Sequence, residues 1–208
     1  MKKIMFSDKF GLTEAVLSGR KTQTRRVVGE SLWNKWTEYD DFCGSVGVRG
    51  LNEIGVAVTR EYSDCEKFFL DNSPFKVGEV VAVAQAYREI AHPDEFLDER
   101  YEVKDEFVSG WANKLFVRAD LMPFQIRFTG VRMERLQDIS EEDCMAEGIF
   151  ILDEDPMNPQ AYIYAFPNSP EAYYHPREAY AALMDRISSK GTFESNPYVF
   201  VYEFELVK

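Results

Sequence analysis

The stretch "NPYVFVYEFELV", residues 196–207, alternates with a period of two. Tyr198, Phe200, Tyr202, Phe204 and Leu206 share one face, and Val199, Val201, Glu203 and Glu205 share the other. Aromatic and β-branched residues at this density read as a strand. Its aromatic face suits a core; the same face would also suit base stacking. A helix pattern comes just before it. Pro176 stands at the first position, and Tyr180, Leu183, Met184 and Ile187 fall at i, i+3, i+4 and i+7.

Working outward, "KIMFS" (3–7), Lys21–Val28, "NEIGVAVTREY" (52–62), "FKVGEVVAVAQAY" (75–87), "KLFVRADLM" (114–122) and "FQIRFTGVRMERLQ" (124–137) carry further strand signals. Ser7 or Asp8 can cap a helix in which Leu12, Ala15 and Val16 share a face and Gly19 is the stop. "ISEEDCMAEGI" (139–149) is the clearest helix: Ser140 at N-cap, Asp143 at N3, Ile139 and Cys144 as a hydrophobic staple, and Gly148 at the end. Residues 29–74, with Trp33 and Trp36, read as irregular and leave the tryptophans open to a ligand-facing role, as does Trp111. Residues 88–113 are acidic and read as a solvated face; 150–170, with four prolines, read as a loop. There is no internal repeat. The expectation is an α+β fold: a closed or nearly closed mixed β-barrel of about six strands with flanking helices.

The chain has 208 residues, a length suited to one sizeable domain. No apolar run approaches the roughly 18–20 residues of a membrane span, and the N-terminal "MKKIMFSDKF" lacks the apolar stretch of a secretory signal. Cys43, Cys65 and Cys144 are odd in number with no CxxC pair, and there are two histidines. That argues against a disulfide framework and a metal site; we expect no metal, no cofactor and a reducing cytoplasm. A formal net charge of -12 disfavours strong binding to duplex DNA. It leaves room for a local cationic pocket.

Such a pocket has a candidate in "GRKTQTRR", residues 19–26, where four of eight residues are cationic. On charge pattern alone this is also a solvated helix-to-strand turn. As a site, cations beside Thr hydroxyls would hold anions and lower the pKa of a nucleophile. Strand alternation puts Thr22, Thr24 and Arg26 on one face and Lys21, Gln23 and Arg25 on the other. Lys21 and Thr24 therefore act together only if Lys21 sits in the turn or at a bulge. Glu147 is the second candidate. It falls in the last helical turn, where the macrodipole disfavours a carboxylate, and is either an exposed surface group or a presented acid. Cys144 reads as a small buried hydrophobe.

Four segments resemble the ASCH domain family: "GRKTQTRR", "KVGEVVAVAQAY", "GVRMERLQDISEEDCMAEGI" and "KGTFESNPYVFVYEFELV". The likeness is greatest to its longer bacterial and phage members, and the segments cover a little over a quarter of the chain. The resemblance implies a single PUA-like domain over 1–208 with family-variable insertions at about 29–74, 88–124 and 150–175. It implies a cleft for a nucleoside, a nucleotide or short RNA. Some small members are amidohydrolases that remove the acetyl group of 4-N-acetylcytidine, using a Lys and a Thr within G-x-K-T-x-T and a Glu near the short capped helix. These positions are Lys21, Thr24 and Glu147 here. Arg20, Thr22, Arg25, Arg26 and Gln85 are the expected ligand-binding residues. Where longer members commonly carry Val-Arg-Glu-x-Trp, this chain has Val83-Ala84-Gln85-Ala86-Tyr87. Rival expectations are a non-catalytic RNA or modified-nucleotide binding module, a ribonuclease, or a phage accessory protein that binds a host protein through its acidic face.

Overall fold

The computed structural model describes residues 1–45, 62–90, 110–155 and 157–207. Among these are seven strands and six α-helices, an α+β fold. The C-terminal strand organises it. We number it β7 (Tyr198–Leu206); it runs antiparallel between β4 (Gln125–Arg135) and β2 (Gln23–Val27). Its faces are both covered: Val199 and Val201 are as buried as Tyr202 and Phe204. β3 (Val80–Val83) pairs antiparallel with β4, and β1 (Lys3–Ile4) pairs parallel with β3. The order is β1-β3-β4-β7-β2.

Among the described residues this sheet stays open, in contrast to the expected barrel. Its end strands, β1 and β2, do not pair. β1 is two residues long, and just past it the Met5 carbonyl accepts a hydrogen bond of 2.5 Å from the Arg26 side chain of β2. A side chain, rather than a backbone ladder, spans the gap.

The helices are α1 (Leu12–Leu17), α2 (Glu30–Ser45), α3 (Tyr62–Asp71), α4 (Glu141–Ala146), α5 (Pro176–Ile187) and α6 (Thr192–Ser195). α1, α4 and α5 supply Leu12, Val16, Cys144, Tyr180 and Leu183 to a core shared with Phe128, Tyr202 and Phe204 of the sheet. In α4 the Ser140 side chain accepts from the Asp143 amide, the anticipated cap. α1 begins differently: its N-cap is Gly11 rather than Ser7 or Asp8.

Three other expectations change. Part of the supposedly irregular 29–74 region forms α2 and α3, whose Trp33, Trp36, Phe68 and Phe69 interlock and pack on the core. Residues 150–165, expected as loop, contain a two-stranded antiparallel sheet, β5 (Phe150–Asp155) and β6 (Asn158–Ala165). "KLFVRADLM" is two 3-10 turns at Lys114–Phe116 and Ala119–Leu121. There Asn113 caps the Leu115 amide, and Lys114 turns inward to Asp8 and the Phe6 carbonyl. Nearly all of "NEIGVAVTREY" and most of the acidic 88–113 stretch lie outside the described residues. Among the described residues no helix is long and apolar enough to cross a membrane.

Candidate active site

α4 ends at Gly148, whose φ of +104° is open to glycine but strained for other residues. This stop makes Glu147 the C-cap residue. The segment between α1 and β2 runs alongside. The Lys21 amide donates to the Ala15 carbonyl, and the Thr22 amide donates to the Ala146 carbonyl at the end of α4, each at 2.9 Å. That second bond satisfies a helix-end carbonyl and clamps the start of β2 to the α4 terminus. Lys21 thus precedes β2 and sits in the turn, the condition under which it and Thr24 can face the same space.

They do face it. Lys21, Thr24, Arg25, Arg26 and Glu147 line one cavity of about 300 Å³. Phe6, Leu12, Leu183 and Met184 give it apolar walls. The volume is at the lower end of the roughly 300–1,000 Å³ typical of small-molecule sites.

The chemical centre is an ion pair. Lys21 Nζ lies 2.6 Å from Glu147 Oε2 and 2.7 Å from the Glu147 carbonyl oxygen. Lys21 is 2% exposed and Glu147 4%. Burial pushes the Lys21 ammonium below its ordinary pKa of 10.5, although Glu147 pulls the other way and Arg26 and Arg25 add to the lowering. The neutral amine is therefore easier to reach than in water.

Arg25 is the structural hub. Its Nη2 lies 2.6 Å from both Glu134 Oε1 and Asp143 Oδ2, and its Nη1 3.3 Å from Glu147 Oε1. Burial works against its charge, but Glu147 and the hydrogen-bonded carboxylates more than offset this and raise its pKa. Gln23 joins the cluster, donating to Asp143 and accepting from Arg25. Arg132 ties the same Asp143 to Glu134. Arg26 differs. Among the described residues it forms no ion pair; its guanidinium lies 5.7 Å above the Phe6 ring and donates to Met5.

The remaining expected ligand residues are elsewhere. Arg20 is exposed and donates to Ser18 Oγ. Thr22 is exposed. Gln85 is buried and lines a second hollow of about 260 Å³ with Asp8, Thr13 and Glu14. The three arginines therefore do not converge as a phosphate grip. Trp33 packs on Phe69 and Tyr198, with ring centroids 4.4 and 5.5 Å away. Tyr180 was legible in the sequence only as a core residue of its helix, yet it lines the cavity. A hydroxyl on an otherwise apolar helical stripe was the available signal. Among the described residues no group of three or more His, Cys, Asp or Glu side chains is placed to hold a metal ion.

Comparison with protein-family models, with curated proteins and with solved structures finds no match for this chain.

Proposed function

We propose that the protein is an ASCH-type, PUA-like amidohydrolase that takes an N-acylated cytidine-type nucleoside into the Lys21–Glu147 cavity. The observation that carries this reading is the buried Lys21–Glu147 pair beside Thr24 in one cavity. A surface turn would leave Lys21 solvated. Here a lysine and a glutamate 126 positions apart in sequence are brought together out of water, and Lys21 Nζ donates its proton in a hydrogen bond to Glu147 Oε2 at 2.6 Å.

That proton sets the chemistry. Once it rests on Glu147, Lys21 is a neutral amine able to accept a proton from the attacking oxygen, either the Thr24 hydroxyl or a water that Thr24 orients. The oxygen adds to the acyl carbon, the carbon–nitrogen bond breaks, and Glu147 returns the proton to the departing 4-amino nitrogen. On the Thr24 route the acyl group is left on Thr24 as an ester; the Lys21 proton passes back to Glu147, Lys21 takes a proton from an incoming water, and that water cleaves the ester while Glu147 returns the proton to the Thr24 oxygen. One water is consumed per amide, giving a carboxylic acid and the free amine. Arg25 holds Glu147 in place through its second oxygen.

The same geometry favours a nucleoside over a phosphorylated ligand. Arg25 is committed to carboxylates and Arg20 points to Ser18, which leaves Arg26 as the arginine in the wall without an acidic partner among the described residues. Phe6, Leu183 and Met184 offer apolar surface to a base. The test is loss of the acylated chromophore of 4-N-acetylcytidine, followed by absorbance, for the wild type and Lys21→Ala. Turnover reduced at least 100-fold by the substitution is expected; a loss of only a few-fold removes Lys21 from the mechanism.

A further inference from the structure

Tyr180 stands on α5, which packs against α4. It is 1% exposed, and it lines the cavity that Lys21, Thr24 and Glu147 share. Among the described residues its hydroxyl has no hydrogen-bond partner. Burying a hydroxyl unsatisfied costs on the order of 1–3 kcal/mol, and a phenylalanine would fill the same space without that cost. Tyr180 thus joins an unpartnered, closely enclosed hydroxyl to a side chain that lines the cavity, and a buried hydroxyl without a partner beside a site calls for an explanation.

The surroundings decide which form the hydroxyl takes. Burial holds its pKa well above the ordinary value of 10, and Glu147 acts in the same direction. Near neutral pH the group is therefore a protonated donor. Glu147 and Arg25 line the same cavity, and neither carries a hydrogen bond to it.

We infer that Tyr180 donates a hydrogen bond from its hydroxyl to the acyl oxygen of the bound substrate, an inference that rests on the amidohydrolase reading above. In the ground state that oxygen is a carbonyl. As the nucleophile adds, it becomes an oxyanion, and a preorganised donor at that point strengthens with the developing charge. No proton is transferred: Tyr180 keeps its hydrogen throughout, while Lys21 and Glu147 move the proton that the reaction requires. Lys21, Thr24 and Glu147 supply the base, the nucleophilic oxygen or its orienting group, and the acid. Tyr180 supplies the oxyanion contact that this set otherwise lacks.

The test is Tyr180→Phe, with steady-state hydrolysis of 4-N-acetylcytidine and thermal unfolding of the same preparation. Removing one oxyanion donor typically lowers kcat by about 100-fold or more. We expect a fall in kcat of that order, KM within about three-fold of wild type, and a melting temperature equal to or above that of wild type. The rise or constancy of the melting temperature separates this role from a structural one. A Tyr180→Phe enzyme with kcat/KM within two-fold of wild type overturns the inference and leaves the hydrolase standing. So does a variant whose loss of activity accompanies a melting temperature lowered by several degrees. A wild-type protein that neither binds nor hydrolyses 4-N-acetylcytidine overturns the hydrolase reading and this inference with it.

Discussion

Glu147→Gln keeps the shape of the side chain and removes its charge, so it isolates what the buried pair does. Lys21 Nζ lies 2.6 Å from Glu147 Oε2, and its other acceptor, 2.7 Å away, is the neutral carbonyl of the same residue. Arg25 loses a contact of 3.3 Å but keeps Glu134 and Asp143 at 2.6 Å. The penalty therefore falls on Lys21, left charged at 2% exposure. Removing one member of a buried pair costs about 3–5 kcal/mol. For a domain of this size that corresponds to a fall of roughly 6–20 °C in melting temperature. Lys21→Met leaves Glu147 with Arg25, so its cost should be smaller. The double variant Lys21→Met/Glu147→Gln strands no lysine charge and is expected to be more stable than Glu147→Gln alone. Urea unfolding of the four proteins gives the full cycle. A cost below about 1 kcal/mol for Glu147→Gln, or strict additivity in the double variant, would refute the claim that these groups form a desolvated pair.

Two further outcomes follow from titration. Burial pushes the Lys21 ammonium below 10.5, so the folded chain releases that proton at lower pH than the unfolded chain. Between the lowered value and 10.5 the unfolded state binds more protons, and stability rises with pH. The melting temperature of the wild type relative to Lys21→Met is thus expected to climb as pH increases through that window; a difference that shrinks would count against it. Burial also pushes the Cys144 thiol up to about 12. Peptide mass spectrometry after iodoacetamide treatment at pH 8 is expected to find Cys144 unmodified in the native protein and modified in urea, and native labelling would show that α4 opens readily.

How much of this was readable in the chain depended on where a local signal agreed with its tertiary setting. β7 was plain because its alternation is long and its β-propensity high. α4 was plain because Ser140 and Gly148 mark both of its ends. The Lys21–Glu147 pairing came from resemblance rather than spacing, since nothing local relates residues 126 positions apart. The β5–β6 hairpin was obscured by its prolines. Pro159 lies where the pairing jumps from Asp155–Asn158 to Glu154–Tyr162, and in a two-stranded sheet both strands are edges, where a missing amide is tolerated. α2 and α3 were obscured because their aromatic residues mark an interface between two helices more than a clean apolar stripe. "KLFVRADLM" had strand composition, but Lys114 is drawn to Asp8 at 2.6 Å and the Asn113 cap breaks the run into turns. Barrel closure was the expectation least open to sequence, because it turns on whether β1 reaches β2. The chain between them instead uses the Arg26 side chain.

Isotope transfer shows whether the Lys21–Glu147 cavity hydrolyses an acyl amide. The protein would be incubated with 4-N-acetylcytidine in water enriched in oxygen-18, and the products analysed by mass spectrometry. The expected products are cytidine free of label and acetate carrying one labelled oxygen, the signature of attack at the acyl carbon. Labelled uridine with acetamide would place the attack on the pyrimidine ring and contradict the assigned roles, and recovery of intact 4-N-acetylcytidine would contradict the function itself.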